Sequence, residues 1–266
     1  MPEGDTVHRV ARVLAGELTG QTLSVLALHD RGEVPELAGR TIESVEAVGK
    51  HLLVNFAGDW TLRVHLGMHG NWLRKHVRES RPTDWTVIIT IGEVAYVCRR
   101  SYRAELLRTA ALRTHPRLAR LGPDLLDDPP EIDEVVTRAR FAGHAEREIG
   151  DLLLDQRVAA GIGNVYKSEV LFEVRLHPRT KMRELSDEQL TLIFETAAKL
   201  MRLNLLTRRR TTVPLRRREL PSSQRLWVYM RAGGPCLDCG TPIERFLQGD
   251  MARSTYFCPR CQAPRS

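Results

Sequence analysis

Two residues at the start of the chain, Pro2 and Glu3, are of types that carry covalent chemistry. Proline at position 2 is small enough for an initiator methionine before it to be removed, and the exposed terminus is then a secondary amine. An α-amino group titrates at about 7.7–8.0, against roughly 10.4 for a lysine, so a useful fraction is unprotonated near neutral pH. Such an amine attacking an aldehydic sugar carbon gives an iminium ion, the amine route of nucleophilic catalysis, and Glu3 beside it can move protons. Alone, a Pro-Glu pair is commonplace; the rest of the chain has to give it meaning.

The strongest local signal is Cys236-x-x-Cys239 followed by Cys258-x-x-Cys261, with 18 residues (240–257) between the pairs. That spacing fits a four-cysteine zinc site. Four thiolates close the tetrahedron, so the ion is structural and keeps no open position for water. It would fold a hairpin too small to own a core. Arg253 and Tyr256 lie between the pairs, and an arginine on a rigid hairpin tip is well placed to meet a phosphate. The fifth cysteine, Cys98, stands alone. Clustered cysteines argue for metal and a reducing compartment rather than a disulfide scaffold.

Three shorter stretches carry further candidates. In the run from Asp155 to Glu169, Gly161 and Gly163 suit a tight hairpin and Asn164 a helix cap, with Lys167 one turn on. Free N–H groups at such a helix start attract anions; an ordinary helix–helix turn has the same look. In Val48-Gly49-Lys50-His51 the lysine sits at a turn, where it binds phosphate, assists at a sugar, or decorates a surface hairpin. In His65-Leu66-Gly67-Met68-His69-Gly70 two glycines bracket Met68. That makes Met68 either a projecting wedge of the kind that unstacks bases or a core methionine beside a strand.

The elements that must position these residues fall into two sets. A helix over 5–18, capped by Asp5 or Thr6, aligns Val7, Val10, Ala11, Leu14 and Leu18 on one face. Strand-like segments follow at 22–28, 41–48, 51–56, 60–66, 85–91 and 94–99; Leu62-Arg63-Val64-His65-Leu66 alternates as a half-buried strand should. These predict a β-sandwich or barrel with one long N-terminal helix against it. Residues 122–130 read as a Gly/Pro/Asp linker. Beyond it the period becomes helical, at 132–140, 145–154, 165–172 and 187–205, the last opened by a Ser186/Gln189 capping box. The expected organisation is α+β and multidomain: a catalytic sandwich over 1–121, the linker, a helical domain over 131–224 and a zinc finger over 225–266.

The whole chain has 266 residues, 42% of them hydrophobic, and a net charge of +7, with a pI near 9.5. The excess is nearly all arginine, since the lysines are limited to Lys50, Lys75, Lys167, Lys181 and Lys199. This favours a polyanionic partner. The basic run from Arg208 to Arg218 crosses a Pro-containing loop, which is either part of that charge preference or simply solvated. No apolar run is long enough to span a membrane, and the start lacks the pattern of a secretory signal.

Taken together, these residues resemble the formamidopyrimidine-DNA glycosylase and endonuclease VIII family. The likeness runs from Met1-Pro2-Glu3-Gly4 through the Lys50 turn, the 65–70 loop, Gly122-Pro123-Asp124, the helix-two-turn-helix stretch through Asn164 and Val228-Tyr229, to Arg253 and Cys261. The resemblance implies a bifunctional DNA glycosylase and AP lyase of base excision repair, acting on a base flipped out of damaged duplex DNA. Pro2 would attack C1′ and Glu3 would shuttle protons, with strand cleavage by β,δ-elimination. Lys50 and Arg253 would assist the chemistry; His65, Gly161, Gly163, Asn164, Lys167 and Arg253 would hold DNA. Met68 matches the wedge, and Arg99, Arg100 and Tyr102 are candidates for its partners. Gly4, Asp5-Thr6 and the short arginine-rich loop from Thr211 to Trp227 resemble the endonuclease VIII branch. Leu66-Gly67-Met68 resembles the guanine-repair branch, and His69 replaces a tyrosine common in endonuclease VIII. Oxidised pyrimidines are the expected lesions. The alternatives are an 8-oxoguanine or formamidopyrimidine glycosylase and a non-catalytic damage-binding protein. One structural Zn2+, no small-molecule cofactor, a monomer, and a cytoplasmic, bacterial, nucleoid-associated setting complete the expectation.

Overall fold

Helix α1 (Gly4–Leu18) opens the chain because Glu3, in extended conformation, caps it through its backbone. The Glu3 carbonyl accepts from the N–H groups of Thr6 (3.0 Å) and Val7 (3.1 Å). The cap is therefore Glu3 rather than Asp5 or Thr6. Asp5 lies instead in the first turn, fully buried, where a carboxylate suits the positive end of the helix. Val7, Ala11, Leu14 and Leu18 form the buried stripe. The computed structural model describes residues 2–79, 82–207, 209–213 and 225–264; Arg208 and Arg216 to Arg218 of the basic run lie outside them.

The chain divides into two units, Met1–Arg120 and Leu121–Ser266. In the first, strands β1 (Val25–Leu28), β2 (Gly32–Glu33), β3 (Ile42–Val48), β4 (His51–Phe56), β5 (Trp60–His65), β6 (Asn71–His76), β7 (Trp85–Ile91), β8 (Val94–Arg99) and β9 (Arg103–Arg108) form two antiparallel sheets. Their orders are β2-β1-β7-β8-β6 and β3-β4-β5-β9. One core joins both sheets to the helix: Leu26, Val87, Ile89 and Cys98 from the first sheet, Val54, Phe56, Leu62 and Val64 from the second, and the α1 stripe. This is the expected sandwich with its helix.

Strands β6 and β9 are not foreseen by apolar alternation. Both are outer strands rich in polar residues, Asn71-Trp72-Leu73-Arg74-Lys75-His76 and Arg103-Ala104-Glu105-Leu106-Leu107-Arg108. Charged outer strands discourage pairing with another chain, and the same charges hide them from a hydrophobic pattern.

In the second unit α2 (Ile132–Ala139), α3 (Ile149–Leu152), α4 (Asn164–Glu173) and α5 (Asp187–Leu203) surround a core that includes Val135, Leu152, Tyr166, Leu171, Phe194 and Ala197. The capping box of α5 is present, with Ser186 and Gln189 bonded reciprocally. Two expectations are corrected. Residues 122–130 are not a free linker: Gly122 N–H bonds Gln156 O at 2.8 Å, Asp124 bridges Ala160, and Leu125 is fully buried in the core. The helix expected over 145–154 shrinks to Ile149–Leu152 because Glu148 is extended and bridged to Lys181. A hairpin of β10 (Glu244–Gln248) and β11 (Arg253–Phe257) completes the unit. It packs on α4 and shares a core of Phe172, Val213, Trp227, Val228 and Ile243.

Candidate active site, DNA-facing loops and metal centre

Each unit carries its own share of the expected site residues. In the first, Pro2 is partly exposed and Glu3 fully buried at the head of α1, and α1 packs on β3 and β4. The turn between those strands is two residues long, Gly49 and Lys50, since Val48 pairs with His51. Gly49 has φ 58°, the positive first position of a type II′ turn. Across the sheet His51 pairs with His65, their rings 5.0 Å apart, and the His65 ring meets Tyr102 edge-on at 5.7 Å.

The 65–70 loop is built by its glycines. A Cβ on Gly67 (φ 66°) would sit 2.7 Å from Tyr102 Cβ, and one on Gly70 would sit 2.3 Å from Leu66 O. Both positions exclude larger residues, and the tight turn between them leaves Met68 56% exposed, so the core alternative is set aside. Tyr102 N–H bonds His65 O at 2.9 Å, tying the later loop to the same edge. Arg99 is held by Asp84 through two bonds of 2.5 and 2.8 Å, and Arg100 reaches the same carboxylate at 2.8 Å from a left-handed backbone, φ 48°. The bonds from Arg99 hold the Asp84 carboxyl below its usual range.

Sequence reading missed what lies under this edge. Arg63, expected on an open face, is buried together with His51; it bonds His51 and Glu105, and His115 lies 3.4 Å from the same Glu105 carboxylate. Burial, then the Arg63 charge, push His51 down to about 2 and His65 to about 4. Both imidazoles take up protons more readily in the unfolded chain, which binds more protons than the folded one between about pH 4 and 6.5. Stability therefore rises with pH across that window and is lost as pH falls below 6.5. Thermal melts from pH 7.5 to 5 are expected to show a falling Tm; a flat profile would contradict the burial of this pair.

In the second unit Gly161 has φ 104°, and Gln156 braces its turn, accepting from Gly161 N–H at 3.1 Å and donating to Ile162 O at 2.9 Å. The cap of α4 is Gly163, not Asn164, which is the first helical residue. Asn164 Nδ2 donates to Ser254 O at 2.7 Å, next to the exposed Arg253 at the start of β11. Lys167 does not face solvent. It is fully buried, and its Nζ donates to Thr255 Oγ1 at 2.7 Å. Thr255 passes a bond on to Gln248, which donates to Glu148 at 2.8 Å. Lys167 is thus a strut under the hairpin rather than a surface DNA contact. Glu169, also unforeseen, accepts from the N–H groups of Trp227, Val228 and Tyr229 at 2.7–2.9 Å and fixes the approach to the first cysteine pair.

The Sγ atoms of Cys236, Cys239, Cys258 and Cys261 all lie within 4.8 Å of one another. A tetrahedron with Zn–S bonds of about 2.3 Å has edges of roughly 3.8 Å, so the set fits zinc. The backbone N–H of Cys261 points at Cys258 Sγ (3.4 Å), the kind of second contact that steadies a thiolate ligand.

Family models match along the chain: the formamidopyrimidine-DNA glycosylase N-terminal domain over residues 1–104, its H2TH domain over 121–213, and the zinc finger found in FPG and IleRS over 233–264. A protein from Streptomyces coelicolor named probable endonuclease 8 2 is 37% identical, with 99% of this chain and 94% of that one aligned. The chain belongs to the formamidopyrimidine-DNA glycosylase and endonuclease VIII family. The DNA-(apurinic or apyrimidinic site) lyase Nei2 of Mycolicibacterium smegmatis is 34% identical over 98% of this chain and 99% of its own. Among solved structures, Lactococcus lactis Fpg in complex with DNA containing an abasic site superposes with a TM-score of 0.83 at 22% identity, covering 99% of this chain and 100% of that one. This family's three modules thus account for the sandwich, the helical region and the four-cysteine hairpin. No helix among the described residues is long and apolar enough to cross a membrane.

Proposed function

We propose that this protein is a bifunctional DNA glycosylase and AP lyase of base excision repair that removes oxidised pyrimidines from damaged duplex DNA. The observation that carries the reading is Pro2-Glu3 at the head of α1 in a chain aligned over nearly its full length with relatives named endonuclease 8 and AP lyase. After removal of Met1, the Pro2 nitrogen attacks C1′ of the flipped nucleotide. The C1′–N bond to the base breaks, the base leaves with a proton, and the sugar ring opens to an iminium ion. Glu3 protonates and deprotonates the opened sugar. The iminium acidifies the C2′ proton, whose loss expels the 3′ phosphate; loss of a C4′ proton then expels the 5′ phosphate, and water releases the enzyme.

Lys50 and His65 in the first unit, and Asn164 and Arg253 in the second, bind DNA phosphates; the backbone at Gly161 and Gly163 serves the second unit's share. Met68, Arg100 and Tyr102 fill the space left by the base. Arg99 serves by clamping Asp84 beneath the Arg100 backbone. The four-thiolate zinc is structural and enters no step. The protein acts as a monomer on the bacterial nucleoid.

Borohydride reduction tests this directly. The processed protein is expected to become fixed to abasic-site DNA through its N-terminal residue, identified by peptide mass spectrometry. A chain lacking Met1 that cleaves lesion-bearing DNA yet gives no trapped species would sink the amine mechanism. Parallel thymine-glycol and 8-oxoguanine duplexes decide the lesion class.

A further inference from the structure

Strand β5 carries a buried arginine that no step above uses. Arg63 is 1% exposed. Its Nη1 donates to Glu105, its Nη2 lies 3.0 Å from His51 Nδ1, and its Nε finds no hydrogen-bond partner among the described residues. The register explains the cluster: Arg63 stands opposite Glu105, and His65 stands between His51 and Arg103. Residues 63 and 65 of one strand share a face. Burying a guanidinium with an unsatisfied N–H against a partly exposed carboxylate is a poor way to gain stability, because apolar side chains of similar volume often do as well or better. Some other task fits the cluster better.

Hydrogen-bond roles at the two imidazoles point to that task. A guanidinium has only donors, so His51 Nδ1 must accept and its proton sits on Nε2. At His65 the Gly67 N–H donates to Nδ1 at 3.2 Å, so there too the proton sits on Nε2. A second proton on either Nδ1 would break one of these bonds.

We propose that Arg63 is a positioning residue: clamped between Glu105 and His51, it holds the His51–His65 pair as neutral imidazoles of one tautomer, so that His65 presents an Nε2–H donor and no charge. Lys50 from the β3–β4 turn and Arg117 beyond β9 add positive charge around the pair, and Arg103 of β9 stands opposite His65, whose ring also meets Tyr102. Glu105 and His115 complete the surroundings, and Glu105 is already engaged by Arg63 and Arg103, the latter at 2.9 Å. The downward pressure of burial and of Arg63 on both histidines agrees with this arrangement. For DNA binding the inference rests on the reading of His65 as phosphate-facing; its contact would then keep the same strength from pH 5.5 to 7.5.

Imidazole NMR titration of the free, zinc-loaded protein tests the network, with the His51 and His65 signals assigned by their loss in His51→Gln and His65→Gln. In the wild type both are expected to stay neutral down to pH 5. Arg63→Met should raise the His65 midpoint by roughly one pH unit or more, the size of effect a neighbouring charge exerts. Glu105→Gln keeps the guanidinium and should leave His65 neutral. If Arg63→Met folds poorly because Glu105 is stranded, the double variant Arg63→Met/Glu105→Leu removes both charges together and should still raise the midpoint. An unmoved midpoint in the folded variants overturns the proposal. Affinity for a duplex with a stable abasic analogue, measured from pH 5.5 to 7.5, should be flat at this contact in the wild type and tighten toward low pH in the double variant. A raised midpoint with flat binding in the double variant would leave the network standing and remove His65 from the DNA contacts.

Discussion

Glu3→Gln is expected to lower base excision by roughly 10²–10⁴-fold, the usual worth of a positioned general acid or base, with DNA affinity unchanged. The substitution keeps the shape of the side chain while removing its charge and its capacity to carry a proton. Two facts keep it from being a folding test in disguise. Glu3 starts α1 through its backbone carbonyl, and its side chain makes no capping bond to the helix. The buried stripe that anchors α1 begins further on, at Val7. Single-turnover excision from a thymine-glycol duplex, beside a thermal melt, reads the outcome. Wild-type excision by the variant would remove Glu3 from the chemistry, and an equal loss of Tm and excision would assign it a structural part instead.

The second large effect concerns zinc. Structural zinc held by four thiolates is worth about 10–16 kcal/mol in small finger peptides at pH 7. The described part of the hairpin unit has little core of its own: Cys236, Ile243 and Cys258 share theirs with Phe172 of α4 and with Trp227, whose ring stacks on Phe172 at 5.1 Å. Cys258→Ser, or strong chelation of the full chain, is therefore expected to release β10 and β11 while α2 and α5 remain folded. Arg253 and the Asn164–Ser254 bond go with the hairpin. DNA affinity should fall by roughly tenfold or more, about 1.4 kcal/mol per decade, and the salt dependence should flatten by about 0.9 for each phosphate the protein no longer neutralises. Metal analysis with far-UV circular dichroism and binding isotherms at two salt concentrations checks this. Full affinity in a zinc-free protein would show that the finger does not hold DNA.

How much of this was legible beforehand follows the physics of each signal. The four cysteines and the α5 capping box are local patterns whose residues meet whatever the tertiary fold, and both are present as read. Strands β4, β7 and β8 carry β-branched and apolar runs, and their limits agree with the expectation. Residues whose meaning depends on distant partners were opaque. Arg63 alternates with apolar neighbours as a surface residue would, yet Glu105, 42 positions away, draws it inside. Lys167 looks like a phosphate ligand until Thr255, 88 positions on, accepts its bond. Residues 122–130 have linker composition, but Asp124 and Leu125 find their partners at Ala160.

The missing side chain of Gly67 has a mechanical corollary. With Tyr102 packed into the space a β-carbon would take, and its amide bonded to His65, the Met68 tip and the Tyr102 tip behave as one stiff tooth rather than two independent fingers. Neither can be lengthened or retracted without shifting the other, so the outline of this edge is set jointly by two segments more than thirty residues apart in sequence.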